Sequence, residues 1–257
     1  MTSTHGIPED GRIDLHCHLL PGIDDGCTSL AESLECVERL MASGFVGSVC
    51  TPHHYPQVYP DNTPTNIARE VERLAEELQR RGVDYRLWAG GELRIDDEAI
   101  AWLDEVGVPT LGPGRCVLID YFGTDWPDAG DRLCRYLLDH GYQPILAHPE
   151  RLDFSERDLD ALLDSLDEMG VWLQGNFNSM AGGEGPRAAD RVRRLLDEGR
   201  LNAMATDLHG PETLGSRLQG LALVQTEAGR EPLAELLENG PRSILLEGCT
   251  SDSVPSD

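Results

Sequence analysis

Two imidazoles flank a single residue in Asp14-Leu15-His16-Cys17-His18, directly after a short apolar start. On a strand, side chains at i and i+2 share a face, so both rings can converge on one metal ion with Asp14 behind them. Further metal-capable residues recur downstream: His53 and His54 in Thr-Pro-His-His, Glu92 after a glycine pair, Asp120, His148 in His-Pro-Glu-Arg, and Asp207 and His209 in Asp-Leu-His. Of the eight histidines, only His5 and His140 fall outside this series. A mixed histidine and carboxylate set without cysteine suits Zn, Mn or Fe. The set exceeds what one ion needs, which implies two or three ions with Glu92 able to bridge a pair. Clustered divalent ions polarise a phosphoryl oxygen and make hydroxide from water at neutral pH.

The elements that must position these residues alternate along the chain. Short apolar segments at 12–16, 46–51, 85–90, 116–121, 143–147, 171–174 and 203–206 read as strands. Amphipathic segments at 29–43, 65–81, 96–105, 131–140, 156–169, 187–198 and 213–228 read as helices. In the first, Leu30, Leu34, Val37 and Leu40 repeat near the helical period, and Ser29 with Glu32 forms a capping-box pattern. Glycines such as Gly44 and Gly170 stand where the chain must leave a helix. Strands alternating with helices imply parallel strands joined by right-handed crossovers. Seven such units fit a closed or nearly closed barrel, in which functional side chains gather at the C-terminal strand ends. Each metal-capable residue of the series sits at such an end. One domain is expected over residues 10–248, followed by a disordered tail at 249–257, with residues 1–9 also a candidate for disorder.

Composition excludes several functions. The formal net charge of −25 disfavours nucleic acid and anionic membranes. All 21 basic residues are arginine, which excludes a Schiff-base lysine and a P-loop lysine. An acidic protein with an anionic substrate needs local positive charge, which metal ions supply. The seven cysteines are scattered with no Cys-x-x-Cys, so they read as buried free thiols, Cys17 being the one to watch inside the opening motif. No apolar run approaches the roughly 18 residues of a membrane span, and the polar start lacks signal-peptide features. A cytoplasmic protein without membrane insertion is the expectation.

His16-Cys17-His18 continues as Leu-Leu-Pro-Gly-Ile-Asp-Asp-Gly to Gly26. Together with Thr51-Pro52-His53-His54, Gly91-Glu92-Leu93-Arg94-Ile95, Ala147-His148-Pro149-Glu150-Arg151 and Asp207-Leu208-His209, this closely resembles the bacterial polymerase and histidinol phosphatase (PHP) superfamily. Within it, residues 12 to 247 look like the manganese-dependent protein-tyrosine phosphatases of capsule and exopolysaccharide clusters. The resemblance implies an α/β fold, a distorted (β/α)7 TIM-like barrel of the PHP type, with a trinuclear site. By position, His16, His18, Glu92, Asp120, His148, Asp207 and His209 would be metal ligands. One of His53 and His54 would join them, the family pattern favouring His53. Asp14 would orient a ligand from behind. Arg151 matches an arginine that holds the substrate phosphate, and guanidinium suits that role through paired hydrogen bonds. Arg217 corresponds to a second such arginine.

The implied reaction is hydrolysis of phosphotyrosine by metal-bound hydroxide, without a covalent phosphoenzyme. The implied target is the tyrosine-rich tail of a polysaccharide-assembly kinase, and the implied cofactor is two or three divalent ions, Mn first with Fe or Zn as alternatives. Two departures stand out: Asp120 replaces the usual Glu, and Gly210-Pro211-Glu212 breaks the pattern after His209. Asp24 and Asp25 read as loop-shaping, and Tyr55 and Tyr59 as candidates to stack on an aromatic substrate. Two other functions fit less of the sequence: a PHP phosphoesterase for a small phosphate ester, and a non-enzymatic kinase binder with a degraded site. The nearly complete ligand set argues against the latter. Oligomeric state is open.

Overall fold

The computed structural model describes residues 6–227 and 233–246. Its strands are β1 (Arg12–Cys17), β2 (Phe45–Cys50), β3 (His53–His54), β4 (Arg86–Ala89), β5 (Glu92–Arg94), β6 (Cys116–Asp120), β7 (Gln143–Ala147), β8 (Trp172–Asn176) and β9 (Ala203–Ala205). All strand pairs are parallel, as expected for strands separated by crossover helices. They form two sheets, ordered β1-β2-β4 and β3-β5-β6-β7-β8-β9.

The strands expected at 46–51 and 85–90 are each followed, after a break, by a short further strand, β3 and β5, and this is what divides the sheet. Pro52 lacks the N–H a ladder needs, so the second strand stops at Cys50 and resumes at His53. Gly90-Gly91 interrupts the third in the same way. Gly91 is also where His54 crowds the backbone, so a Cβ there would overlap the imidazole. Backbone bonds carry the pairing across both breaks, from Gly90 N to Cys50 O at 2.9 Å and from Glu92 N to Pro52 O at 3.1 Å. At the other end of the series, Asp207 N donates to His16 O and His18 N to Leu208 O, both at 2.8 Å. The first strand therefore lies alongside the last, as in barrel-like folds.

The helices are α1 (Leu30–Ala42), α2 (Pro64–Arg80), α3 (Ala99–Val106), α4 (Asp128–Asp139), α5 (Glu156–Met169), α6 (Phe177–Met180), α7 (Pro186–Asp197), α8 (Pro211–Glu227) and α9 (Gly240–Leu246), the last entered through a π-helical turn at Glu235–Asn239. Ser29 caps α1 as expected, accepting from Glu32 N at 3.4 Å, while the Glu32 carboxylate reaches back to Thr28 N at 2.7 Å. Gly170 ends α5 in the left-handed region at φ 86°.

One core cluster joins Ile13, Leu15, Trp88, Leu118, Ile145 and Ala203 to Ile244 and Leu245 of α9. A larger one packs the helices against the strands. Each fully buried Leu or Ile contributes about 1.5–3 kcal/mol as an upper estimate. The helix α9 and the short α6 are additions to the seven expected units. The expected tail at 249–257 lies outside the described residues, as do His5 and Cys249. The six described cysteines are buried. Cys17 points its thiol to Val49 O at 3.2 Å, away from the histidines, as a strand's alternation dictates.

Candidate metal centre

The strand ends and the loop after the first strand bring five histidines and the carboxylates of Asp25, Glu92, Asp120 and Asp207 together. Two strand-end residues, His148 (φ 36°) and Asp207 (φ 48°), are the only non-glycine residues with positive φ among those described. A non-glycine in that region costs on the order of 1–3 kcal/mol and persists where the surroundings enforce it, typically at functional sites. Here His148 N donates to Gln174 O at 2.7 Å, and Asp207 N is bonded to His16 O.

Ligand-capable atoms meet in three overlapping groups, each close enough to share one ion: His18, Asp25, His53 and His209; His16, His18 and Asp207; and His16, Glu92 and His148. The β1–β2 ladder shifts register between Asp14 and Cys17, and His16 and His18 still turn their Nε2 atoms to within 3.3 Å of each other. Glu92 stands at the centre. Its Oε1 lies 3.0 Å from His148 Nε2 and 3.5 Å from His16 Nε2, and its Oε2 lies 2.8 Å from His53 Nδ1 and 3.5 Å from His18 Nε2. Asp207 Oδ1 is 3.3 Å from His16 Nε2 and 3.5 Å from both His18 Nε2 and His209 Nδ1. Asp25 Oδ1 reaches His53 Nε2 at 3.1 Å and His209 Nε2 at 3.6 Å.

A surrounding layer of hydrogen bonds fixes the rings. Asp24 Oδ2 holds His18 Nδ1 at 2.7 Å, and Gln174 Oε1 holds His16 Nδ1 at 2.8 Å. Asn176 Nδ2 donates to Asp207 Oδ2 at 2.8 Å. Such partners aim the second nitrogen of each imidazole at the site. Asp14 acts one step further out: it accepts from Thr206 N at 3.0 Å and Thr206 Oγ1 at 2.5 Å, and the same hydroxyl lies 3.3 Å from His16 O. Burial drives the Asp14 carboxyl up to about 6, against these hydrogen bonds.

The electrostatics fit cations. Burial disfavours the charged form of His18, but Asp24, Asp207 and Glu92 outweigh it and hold its pKa well above the usual range. His53 is likewise penalised by burial and raised to about 10 by Asp25 and Glu92. His209 goes the other way, to about 4, through burial and the nearby His18. Glu92 and Asp207 stay ionised despite burial because histidines surround them. Two buried oxygens, Glu92 Oε2 and Asp120 Oδ1, accept no well-directed hydrogen bond. Unsatisfied buried carboxylate oxygens are costly, and a divalent ion satisfies them. The donor set of nitrogen and oxygen suits the transition-metal ions expected from the sequence.

The remaining expected residues are placed as follows. His53 faces the cluster, whereas His54 is buried edge-on to Trp102 at 5.3 Å, where burial pushes it down to about 3. Asp120 stands at the margin: Oδ1 is 3.9 Å from His148 Nδ1, and Oδ2 pairs with Arg94 Nη1 at 3.2 Å. Arg151 Nη1 donates to Asp207 Oδ2 at 2.9 Å. Its Nε lies 3.6 Å from Glu184 Oε2. Arg217 is buried and donates to the carbonyls of Asp207 and Thr213 at 2.9 and 3.0 Å. Tyr55 and Tyr59 line a cleft of about 300 Å³ with Asp25, His53, Arg94 and Phe122. Sequence reasoning read Asp24 and Asp25 as loop-shaping, whereas Asp25 stands in a ligand group and Asp24 holds His18, and it passed over Gln174, Asn176 and Arg94. Asp25 carried a signal, being one of two adjacent acids in the opening motif, whereas the amides of β8 carried none.

Comparison with known proteins agrees with this geometry. Residues 12–246 match the family described as capsular polysaccharide synthesis, CpsB/CapC. The tyrosine-protein phosphatase YwqE of Bacillus subtilis is 30% identical over 239 residues, covering 93% of this chain and 92% of that protein. A putative tyrosine-protein phosphatase, CapC of Staphylococcus aureus, is 26% identical over 95% of both. A crystal structure from work on YwqE and the CpsB of Streptococcus pneumoniae, described as metal-dependent tyrosine phosphatases, superposes with a TM-score of 0.82. It is 29% identical and covers 91% of this chain and 94% of its own. This chain belongs to the CpsB/CapC family of capsular polysaccharide synthesis.

Proposed function

We propose that this chain is a metal-dependent protein-tyrosine phosphatase, a phosphoric monoester hydrolase acting on phosphotyrosine in a protein. The observation that carries the reading is the meeting of three ligand groups around Glu92 and Asp207, of which Asp25, His53 and Glu92 open onto an aromatic-walled cleft. His16, His18, His53, Glu92, His148, Asp207 and His209 are the proposed ligands. Asp25 joins them from the opening loop, and Asp120 from the margin beside His148. Two or three divalent ions, manganese first, would supply Lewis acidity at the phosphoryl oxygens and an activated water. Asp24, Gln174 and Asn176 hold ligands in place, and Asp14 supports the His16 backbone through Thr206.

Arg151 is the proposed phosphate-holding group. It stands beside Asp207, is charged at any working pH, and carries the forked donors that a phosphate accepts. Arg217 braces the Asp207 carbonyl from behind and is proposed as the second arginine of the site. Residues 10–248 are taken as one phosphatase domain. The proposed substrate is the tyrosine-rich tail of a polysaccharide-assembly kinase, met on the cytoplasmic side. Two features support a protein substrate over a small ester: the open cleft with tyrosines at its mouth, and the match to tyrosine phosphatases along nearly the full chain. Among the described residues no helix is long and apolar enough to cross a membrane.

The test is turnover of a phosphotyrosine peptide against small alkyl phosphates by the manganese-loaded protein. A higher kcat/KM on the peptide is expected. Equal or better turnover of the small esters would assign the site to small-molecule chemistry instead.

A further inference from the structure

Among the described residues, Phe122 is the only aromatic side chain that is exposed, at 52%. Val58, at 53%, is the other strongly exposed apolar residue beside it, and both line the cleft whose floor holds His53, Glu92 and Asp120. Two large apolar groups left in water at one cleft mouth mark a place where something apolar docks. Phe122 is also tied to the polar machinery. Its ring lies 4.9 Å from the guanidinium carbon of Arg94 and 5.3 Å from that of Arg151, and 6.2 Å from the His148 ring. Arg94 is in turn fixed by Asp120 Oδ2 and by the Phe122 carbonyl at 3.1 Å.

We infer that Phe122 is a specificity-determining residue that selects an aryl over an alkyl phosphomonoester, an inference that rests on the phosphatase reading above. An ester whose ring packs against Phe122, in the offset or edge-to-face contact that aromatic pairs favour, brings its phosphate beside both guanidinium groups and the metal ligands. A phosphoserine side chain reaches the same floor without touching that wall and gains nothing from it. The two cation–π contacts hold the Phe122 ring in one place, so the wall is formed before substrate arrives. Val58 extends the same surface toward the residues flanking the substrate tyrosine.

The experiment compares metal-loaded wild type, Phe122→Ala and Phe122→Trp on one peptide carrying either phosphotyrosine or phosphoserine. Metal content and melting temperature verify that each variant is intact. Wild type is expected to prefer phosphotyrosine. Phe122→Ala is expected to shrink that preference, the ratio of the two kcat/KM values, about tenfold, chiefly through KM on the aryl ester. Phe122→Trp is expected to keep it. An unchanged ratio in Phe122→Ala, or an equal loss on both esters, would overturn the role of Phe122 while leaving the phosphatase reading standing. A wild type that lacks the preference would overturn both.

Discussion

Arg94 Nη1 lies 3.2 Å from Asp120 Oδ2, and the other oxygen of that carboxylate is buried without a hydrogen bond. Burial and the Glu92 charge raise the Asp120 pKa, against the pull of His148 and Arg94. The side chain is thus held back from the cluster by an arginine, one methylene short of where a glutamate would reach. Its Oδ1 lies 3.9 Å from His148 Nδ1.

Asp120→Glu therefore extends the carboxylate toward His148. The variant is expected to retain one divalent ion more tightly, by about tenfold. Metal titration after gel filtration checks this. Unchanged affinity for every bound ion would mean that Asp120 takes no part in the site.

Asp25 is the exposed member of its ligand group, and it alone links His53 to His209. Asp25→Asn keeps the shape and removes the charge. It is expected to weaken one ion about 10–100-fold while leaving the melting temperature of the metal-free protein nearly unchanged. Metal content by mass spectrometry separates this from a loop-shaping role, in which melting would fall and metal content would hold.

Proton release tests the electrostatics. A coordinating imidazole must give up its proton. His53, raised to about 10, is protonated at neutral pH in the metal-free site, whereas His209, lowered to about 4, is already neutral. Binding at pH 8 should then release protons, and apparent affinity should keep rising with pH well above 7. An ordinary histidine would stop contributing near its own pKa of about 6.5. Calorimetry in two buffers of different ionisation enthalpy measures the release; no release at pH 8 would contradict it.

Gln174→Leu removes the acceptor that fixes His16 Nδ1 and leaves both ring tautomers open. Activity and metal affinity are expected to drop about 10–100-fold with the ligands themselves intact. Full metal affinity in this variant would make the Gln174 contact incidental.

Much of this was legible in the sequence because the fold repeats. Each strand ends on the same side of a parallel α/β array, so His16, His18, Glu92, Asp120, His148, Asp207, His209 and the pair His53 and His54 could be gathered without knowing any distance, the family resemblance favouring His53 within that pair. What could not be read depends on three-dimensional approach. Nothing local distinguishes Asp24, which orients His18, from Asp25, which faces His53 and His209. Gln174 and Asn176 do not titrate and carry no metal-ligand signature, so the β8 end looked empty. The strands expected at 46–51 and 85–90 end at Pro52 and Gly90-Gly91, but the short strands that resume at His53 and Glu92 were too brief to show a period. The helix α9 opens on the Gly240-Pro241 pair, and it packs Ile244 and Leu245 into the core.

The most direct measurement of the central claim is turnover of a phosphotyrosine peptide by chelator-stripped protein titrated with manganese, alongside His148→Ala. The account predicts no activity without metal, recovery that saturates at two or three ions per chain, and none in His148→Ala despite a retained fold. Phosphotyrosine hydrolysis that persists in the stripped protein, or in His148→Ala, would contradict it.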